Sequence, residues 1–202
     1  MTRTHIPGIL AMAAIVVASN ILVQFQFGDW LTLGAFTYPL AFLVNDVMNR
    51  VYGPDAARRV VWAGFAVGVV SSFIAAGFDA TTLRIALGSG LAFLTAQMLD
   101  VALFHALREG RWWRAPLAST LVGSTVDTAL FFSIAFSGTL AFINPADDVS
   151  WAATELPLLG AGPVVPLWVS LAVADWGVKL ALALLALVPF RLIVGRLTQQ
   201  AA

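Results

Sequence analysis

Cysteine is absent from the 202 residues, which excludes disulfides, thiolate catalysis and cysteine-held metals or clusters. Charge is scarce: Asp, Glu, Lys and Arg make up 11% of the chain, against about 25% in ordinary soluble domains. So little charge does not cover the surface of a soluble globule of this size. The 11 basic and 11 acidic residues cancel, leaving no excess to neutralise phosphates, so a nucleic-acid partner is not expected. Histidine occurs only as His5 and His105, both away from the middle of any apolar run, which leaves a histidine metal site or general base poorly supported. No G-x-x-x-x-G-K-[ST] pattern is present, which excludes ATP hydrolysis by a P-loop. The apolar runs show no alternation of period two, which argues against an outer-membrane barrel.

What is abundant is apolar. Hydrophobic residues make up 60% of the chain, and 16 glycines add to them. That abundance also rules out disorder. The class that remains is an all-α polytopic membrane protein, read as one integral membrane domain over residues 1–202. A crossing helix needs about 20 mostly apolar residues, and six spans are predicted, at 6–23, 31–44, 60–78, 85–107, 115–136 and 164–188. The second is short, contains Pro39 and runs into the polar stretch 45–50, so it is expected to be tilted or broken. The first resembles a signal peptide at its start, but its apolar run is long, and Asn20 and Gln24 continue its helical spacing. Residues 148–159 are predicted to form a short outer-surface helix with Trp151 at the interface.

The bases orient the chain. Arg3, Arg50, Arg58, Arg59, Arg108, Arg111, Arg114, Arg191 and Arg196 fall on one side of this scheme and Arg84 alone on the other. The bias predicts that both termini are cytoplasmic. Asp46 and Arg50, spaced i, i+4, are read with Arg58, Arg59 and Arg108 as a cytoplasmic charge cluster, structural or gating.

Polar residues within spans are costly and usually face a cavity or one another. Thr120, Ser124 and Asp127 share one helix face, with Gly123 and Phe131 one turn either side of Asp127. The stripe serves either a solute cavity or helix–helix hydrogen bonding. Asp175 and Lys179, the only lysine, are i, i+4 and within reach of an intrahelical ion pair. Such a pair either lets a polar helix insert or takes part in transport, proton coupling included. Gln97 and Asp100 are i, i+3 on the fourth span. Asn20 and Gln24 are i, i+4 near the outer end of the first, where amides serve as interhelical glue or as ligands. Ala14/Ala18 and Gly64/Gly68 are small-residue pairs that permit close helix approach. The excess of carboxylates over Lys179 favours a cation or a donor-rich neutral solute, and a guanine-like base is one such solute.

At these residues a family becomes visible. The segment YPLAFLVNDVMNRVYGPDAARR (38–59) resembles the signature of the queuosine precursor transporters, also called the vitamin uptake transporter-like family. SNILVQ (19–24), QMLDVALFHALR (97–108), WWRAPLASTLVGSTVDTALFFSIAF (112–136) and VADWGVKL (173–180) resemble its other blocks. The resemblance implies a six-helix fold similar to the substrate-binding components of energy-coupling-factor transporters. It also implies an inner-membrane importer of 7-deazaguanine precursors of queuosine, preQ0 or preQ1, rather than an enzyme. The expected substrate set is Asn20, Gln97, Asp100, Asp127, Phe131, Asp175 and Lys179, with Asp127 and Asp175 as main polar contacts. No cofactor or metal is expected, and membrane lipid is the expected surrounding. Separate ATPase and scaffold subunits, docking through the Ala14/Ala18 face, are the less favoured arrangement. A vitamin-binding component of that kind and a small channel-like bundle are the alternatives.

Overall fold

A computed structural model describes residues 5–78 and 80–200; Arg3 and its part in the charge asymmetry lie outside the described residues. Helix α1 (Ile6–Leu22) leads into a two-stranded hairpin, β1 (Gln26–Phe27) against β2 (Leu31–Thr32), and a single turn, α2 (Gly34–Thr37). Four helices follow: α3 (Leu40–Tyr52), α4 (Pro54–Ala76), α5 (Leu83–Leu107) and α6 (Arg114–Phe136). A connection containing a second hairpin, β3 (Glu155–Pro157) against β4 (Val164–Pro166), delivers the chain to α7 (Leu167–Gln200). Four helices, α4, α5, α6 and α7, are long and apolar enough to cross a membrane. Helix α1 is apolar but has 17 residues, the lower end of the crossing range.

Three boundaries differ from the sequence expectations. Residues 31–44 do not form one helix. The chain is interrupted at Tyr38–Pro39, and α3 starts at Leu40 and runs through the polar stretch read as its end. That stretch stays helical because Asn45, Asp46 and Asn49 are buried among neighbouring helices, where amides and carboxyls find interhelical partners. The outer-surface helix at 148–159 is replaced by a 3-10 turn, Ser150–Ala153, and strand β3. Strand β4 takes Val164–Pro166, so α7 begins at Leu167 and continues past Pro189 to Gln200. Its 34 residues rise about 51 Å, well beyond what the roughly 30 Å hydrocarbon core requires.

Gly53, at φ 87°, turns the chain from α3 into α4, and Pro54 opens the next helix where its missing N–H costs nothing. The α1–α4 seam is close because Gly64 faces Met12 and Phe93: a β-carbon there would lie 2.6 Å from Met12 Cγ. The Gly64/Gly68 pair therefore serves packing within the chain. A core of Met12, Val16, Met48, Val60, Val61, Phe93 and Val101 joins α1, α3, α4 and α5. Outward, Trp62, Val70, Phe73 and Ile74 of α4 and Leu184, Leu185 and Val188 of α7 are exposed, a surface suited to lipid. With α5 and α6 paired along their length, the face of α6 turned away from lipid meets α3 and α7, and the polar residues gather there.

Candidate functional site

Two polar groups lie inside the bundle. The first is an ion network between α6 and α7. Lys179 Nζ is 2.7 Å from Asp127 Oδ2, donates to Thr128 Oγ1 at 2.9 Å, and pairs with Asp175 one turn earlier on its own helix. Thr128 donates to Asp175 Oδ2 at 2.9 Å, and the Tyr38 hydroxyl, at the α2–α3 interruption, donates to Asp127 Oδ1 at 2.9 Å. The ammonium also sits 5.4 Å from the centre of the Tyr38 ring, within the range of a cation–π contact. All three ammonium protons thus have acceptors, and two carboxylates share one ammonium in a site where a lone charge would be costly. Asp127 of the polar stripe is therefore engaged by α7 and by Tyr38. The Asp175–Lys179 pair is intrahelical as expected, and it is also bridged to α6. Trp176 donates to Thr125 at 3.0 Å from a partly exposed position.

The second group lies between α3 and α5, with α6 closing it. Asn45 Nδ2 donates to the Gln97 carbonyl at 3.1 Å and to Asp100 Oδ2 at 3.0 Å; one turn on, Asn49 Nδ2 donates to the Val101 carbonyl at 2.9 Å. Asn45, Asn49, Gln97 and Asp100 are fully buried. Yet Asn45 Oδ1, Asn49 Oδ1 and both amide atoms of Gln97 have no hydrogen-bond partner in the protein, while the Asp100 carboxyl also lies against Ser119 and the Asp46 carboxyl. Buried polar atoms nearly always have one, and each left without costs about 1–3 kcal/mol. Asp46 accepts from Ser119 at 3.3 Å and Thr120 at 3.2 Å, and its carboxyl neighbours that of Asp100. Gly123 makes the tight packing possible: a β-carbon there would lie 2.8 Å from Phe42 Cε1 and 3.3 Å from the Ala96 carbonyl.

A cavity of about 10 Å³ borders this group, lined by Asp46, Thr120, Phe42 and, from α7, Ala183, Ala186 and Phe190. That is room for about one water. The helices are thus closed over the polar groups, and α7 forms one wall.

The predicted residues divide between these groups and elsewhere. Asp127, Asp175 and Lys179 meet in the ion network; Gln97 and Asp100 meet in the amide–acid group. Asn20 joins neither, because its amide donates back to the Val16 carbonyl of its own helix at 2.9 Å. Phe131 packs edge-on against Phe132 at 5.0 Å and Phe136 at 6.0 Å, in an aromatic cluster that includes Trp151. Asp46 leaves the cytoplasmic charge cluster for the interior: it is 3% exposed, and Arg50 instead donates to the Arg108 carbonyl at 2.7 Å over the Phe104 ring. Arg58 pairs with Asp55, Arg108 lies 3.9 Å from Glu109, and Arg59 is exposed.

Sequence reasoning did not assign site roles to Tyr38, Asn45, Asn49, Ser119 or Thr128. Tyr38, Asn45 and Asn49 stood inside the segment 38–59 and Ser119 and Thr128 inside 112–136, two segments that carry the resemblance, which was the available signal. Arg84, read as a loop base, is fully buried. Its guanidinium donates to the Ile134 carbonyl at 3.0 Å and the Ser137 carbonyl at 2.7 Å, capping α6, while its backbone N–H donates to Asp147 at 3.0 Å.

The family model described as "Putative vitamin uptake transporter" matches residues 32–194. The chain is 37% identical to the "Queuosine precursor transporter" of Escherichia coli K12, over 60% of this chain and 64% of that protein. It is 33% identical to a "Probable queuosine precursor transporter" of Haemophilus influenzae, over 60% of this chain and 65% of that protein. A Bacillus subtilis protein of the same name is 35% identical over 60% and 61%. The matches thus span less than two thirds of the length of these relatives. No solved structure matches the chain. The matched region runs from the end of the first hairpin to residue 194 of α7 and contains both polar groups, and the chain belongs to the vitamin uptake transporter family, in which the sequence blocks had placed it.

Proposed function

We propose that the protein is a multi-pass inner-membrane importer of a 7-deazaguanine precursor of queuosine, such as preQ0 or preQ1, held between α3, α5, α6 and α7. One observation carries this reading: this part of the bundle buries four carboxyls and one ammonium, with Asp127 and Asp175 on Lys179 and Asp46 and Asp100 held by hydroxyls and an amide instead. An acid-rich interior favours a solute with several N–H donors or a positive charge. A guanine-type base carries adjacent donors that a carboxylate accepts in bidentate fashion, and preQ1 adds an amine. The printed names of the relatives support the same solute class.

On this reading the chain makes six crossings, with α1 and the α2–α3 stretch as the two short ones. The arginines at the α3–α4 and α5–α6 junctions and at the end of α7 face the cytoplasm. Alternating access then requires α7 to move from α3 and α6, and the Lys179 network is the contact that has to yield. The protein works without separate ATPase and scaffold subunits.

Cells lacking their own carrier and expressing this chain should accumulate labelled preQ1. Absence of uptake with the protein present in the membrane would overturn the proposal. The same uptake by purified protein in liposomes tests its independence from partner subunits.

A further inference from the structure

Two of the four carboxyls inside the bundle have no base. Asp46 of α3 and Asp100 of α5 are buried and lie within hydrogen-bond reach of each other. The charged groups of the helices around them are engaged elsewhere. On α3, Arg50 donates to the Arg108 carbonyl. Asp55, Arg58 and Arg59 of α4, His105 of α5 and Arg114 of α6 are exposed. Further along α6, Asp127 meets Lys179 of α7, which also holds Asp175. Toward Asp46, α7 presents Ala183, Ala186 and Phe190.

The neutral donors do not cover the acceptors either. The Thr120 hydroxyl serves Asp46 Oδ2 and the Asn45 amide serves Asp100 Oδ2. Ser119 lies against both carboxyls but has one proton, directed to Asp46 Oδ1. Asp100 Oδ1 is left without a donor. Two ionised carboxylates touching in a dry interior repel, with no cation to offset them. One proton between them turns the contact into a strong O–H···O⁻ bond and supplies the missing donor.

We infer that Asp46 and Asp100 form a proton-binding site that couples transport to pH: the closed bundle holds one proton shared by the two carboxyls, and the pair releases it to water when α7 moves away. The inference rests on the transport function proposed above, with α7 as the moving wall. Asp46 borders the cavity of about 10 Å³ that α7 closes, with room for about one water. Withdrawal of α7 hydrates the pair, and both carboxyls then ionise. On closure the pair takes one proton from water and passes from charge −2 to −1; no other bond changes. The closed state therefore binds one more proton than the open state. Lower pH favours closure, and a carrier that must close in each cycle slows as pH rises.

Two measurements on the purified full chain test this. Infrared spectra of the wild type at neutral pH should show the C=O stretch of a protonated carboxyl, and Asp46→Asn and Asp100→Asn should each remove it. A wild type without that band would overturn the inference whether or not the variants fold, and so would a band that survives both substitutions. In liposomes, initial uptake of 7-deazaguanine, which lacks the basic amine of preQ1, should fall as pH is raised equally on both sides. The fall should reach up to about tenfold per pH unit, the limit for a single proton. Asp46→Asn keeps a donor where the shared proton sat and should give a flat profile at whatever rate it transports. A variant that is slower but keeps the wild-type pH profile would make the pair structural and overturn the assignment. Wild-type uptake that is independent of pH would overturn this inference alone. Absence of wild-type uptake at every pH would overturn the transport reading with it.

Discussion

The two polar groups lie on neighbouring faces of one bundle and are finished to different degrees. In the Lys179 network the ammonium and both Asp127 oxygens have partners: the ammonium meets Asp127, Asp175 and Thr128, and Tyr38 completes Asp127. In the Asn45–Gln97–Asp100 group, hydrogen bonds hold the side chains in place and stop short of satisfying them. The contrast separates holding from reading. A saturated ion network is stable as it stands, and a solute gains little by contacting it unless something else lets go. The amide–acid group already carries the cost of desolvating amide atoms that have no partner, and on the proposed reading a solute relieves it. Charge alone, the cue available in the sequence, pointed to Asp127 and Asp175; partner accounting points to Gln97 and Asp100.

That contrast breaks most visibly at Lys179. Lys179→Met leaves Asp127 and Asp175 buried beside each other, and removing one partner of a buried pair costs about 3–5 kcal/mol. Thermal unfolding in detergent should show a large fall, with uptake lost. Adding Asp127→Asn removes one uncompensated charge and should recover part of the stability, whereas a further fall would show that the network is not a charge balance. A smaller effect is expected at Gly123, where α6 packs on Phe42 of α3 and Ala96 of α5. Gly123→Ala places a β-carbon 2.8 Å from Phe42 Cε1, an overpacking worth about 1–3 kcal/mol; normal stability and uptake would mean that the packing there is loose. The smallest effects belong to Asn20→Ala and Arg59→Ala. Asn20 bonds only to its own helix and Arg59 is exposed, so each should change stability by less than about 0.5 kcal/mol and leave preQ1 uptake near wild type.

How much of this was legible in the sequence depends on the kind of signal. Helices α4 to α7 were legible because a long apolar run is a strong signal. The i, i+4 spacing also gave the Asp175–Lys179 pair. The 31–44 region was not, because hydropathy follows the apolar residues before Pro39, while α3 is held by interhelical bonds from Asn45 and Asn49 that need the fold to exist. The same limit hid the Asp127–Lys179 contact, 52 residues apart in sequence, and the partners of Asp46 on α6. Arg84 misled because a base between two spans reads as exposed, whereas its guanidinium satisfies the carbonyls at the end of α6, a need that no sequence window displays. Asn20 and Phe131 misled in the opposite direction: each is the right residue type at a suitable depth, occupied by local packing.

The contrast between the partnered Lys179 network and the unpartnered Gln97 amide is tested most directly by Gln97→Leu, measured for thermal stability and for preQ1 uptake in the same membranes. The substitution removes two buried atoms that have no partner. Stability should be unchanged or higher by about 1 kcal/mol, while uptake falls about tenfold or more, a loss of roughly 1.4 kcal/mol or greater in recognition. Uptake at the wild-type rate, or a loss of stability as large as the loss of uptake, would contradict the account.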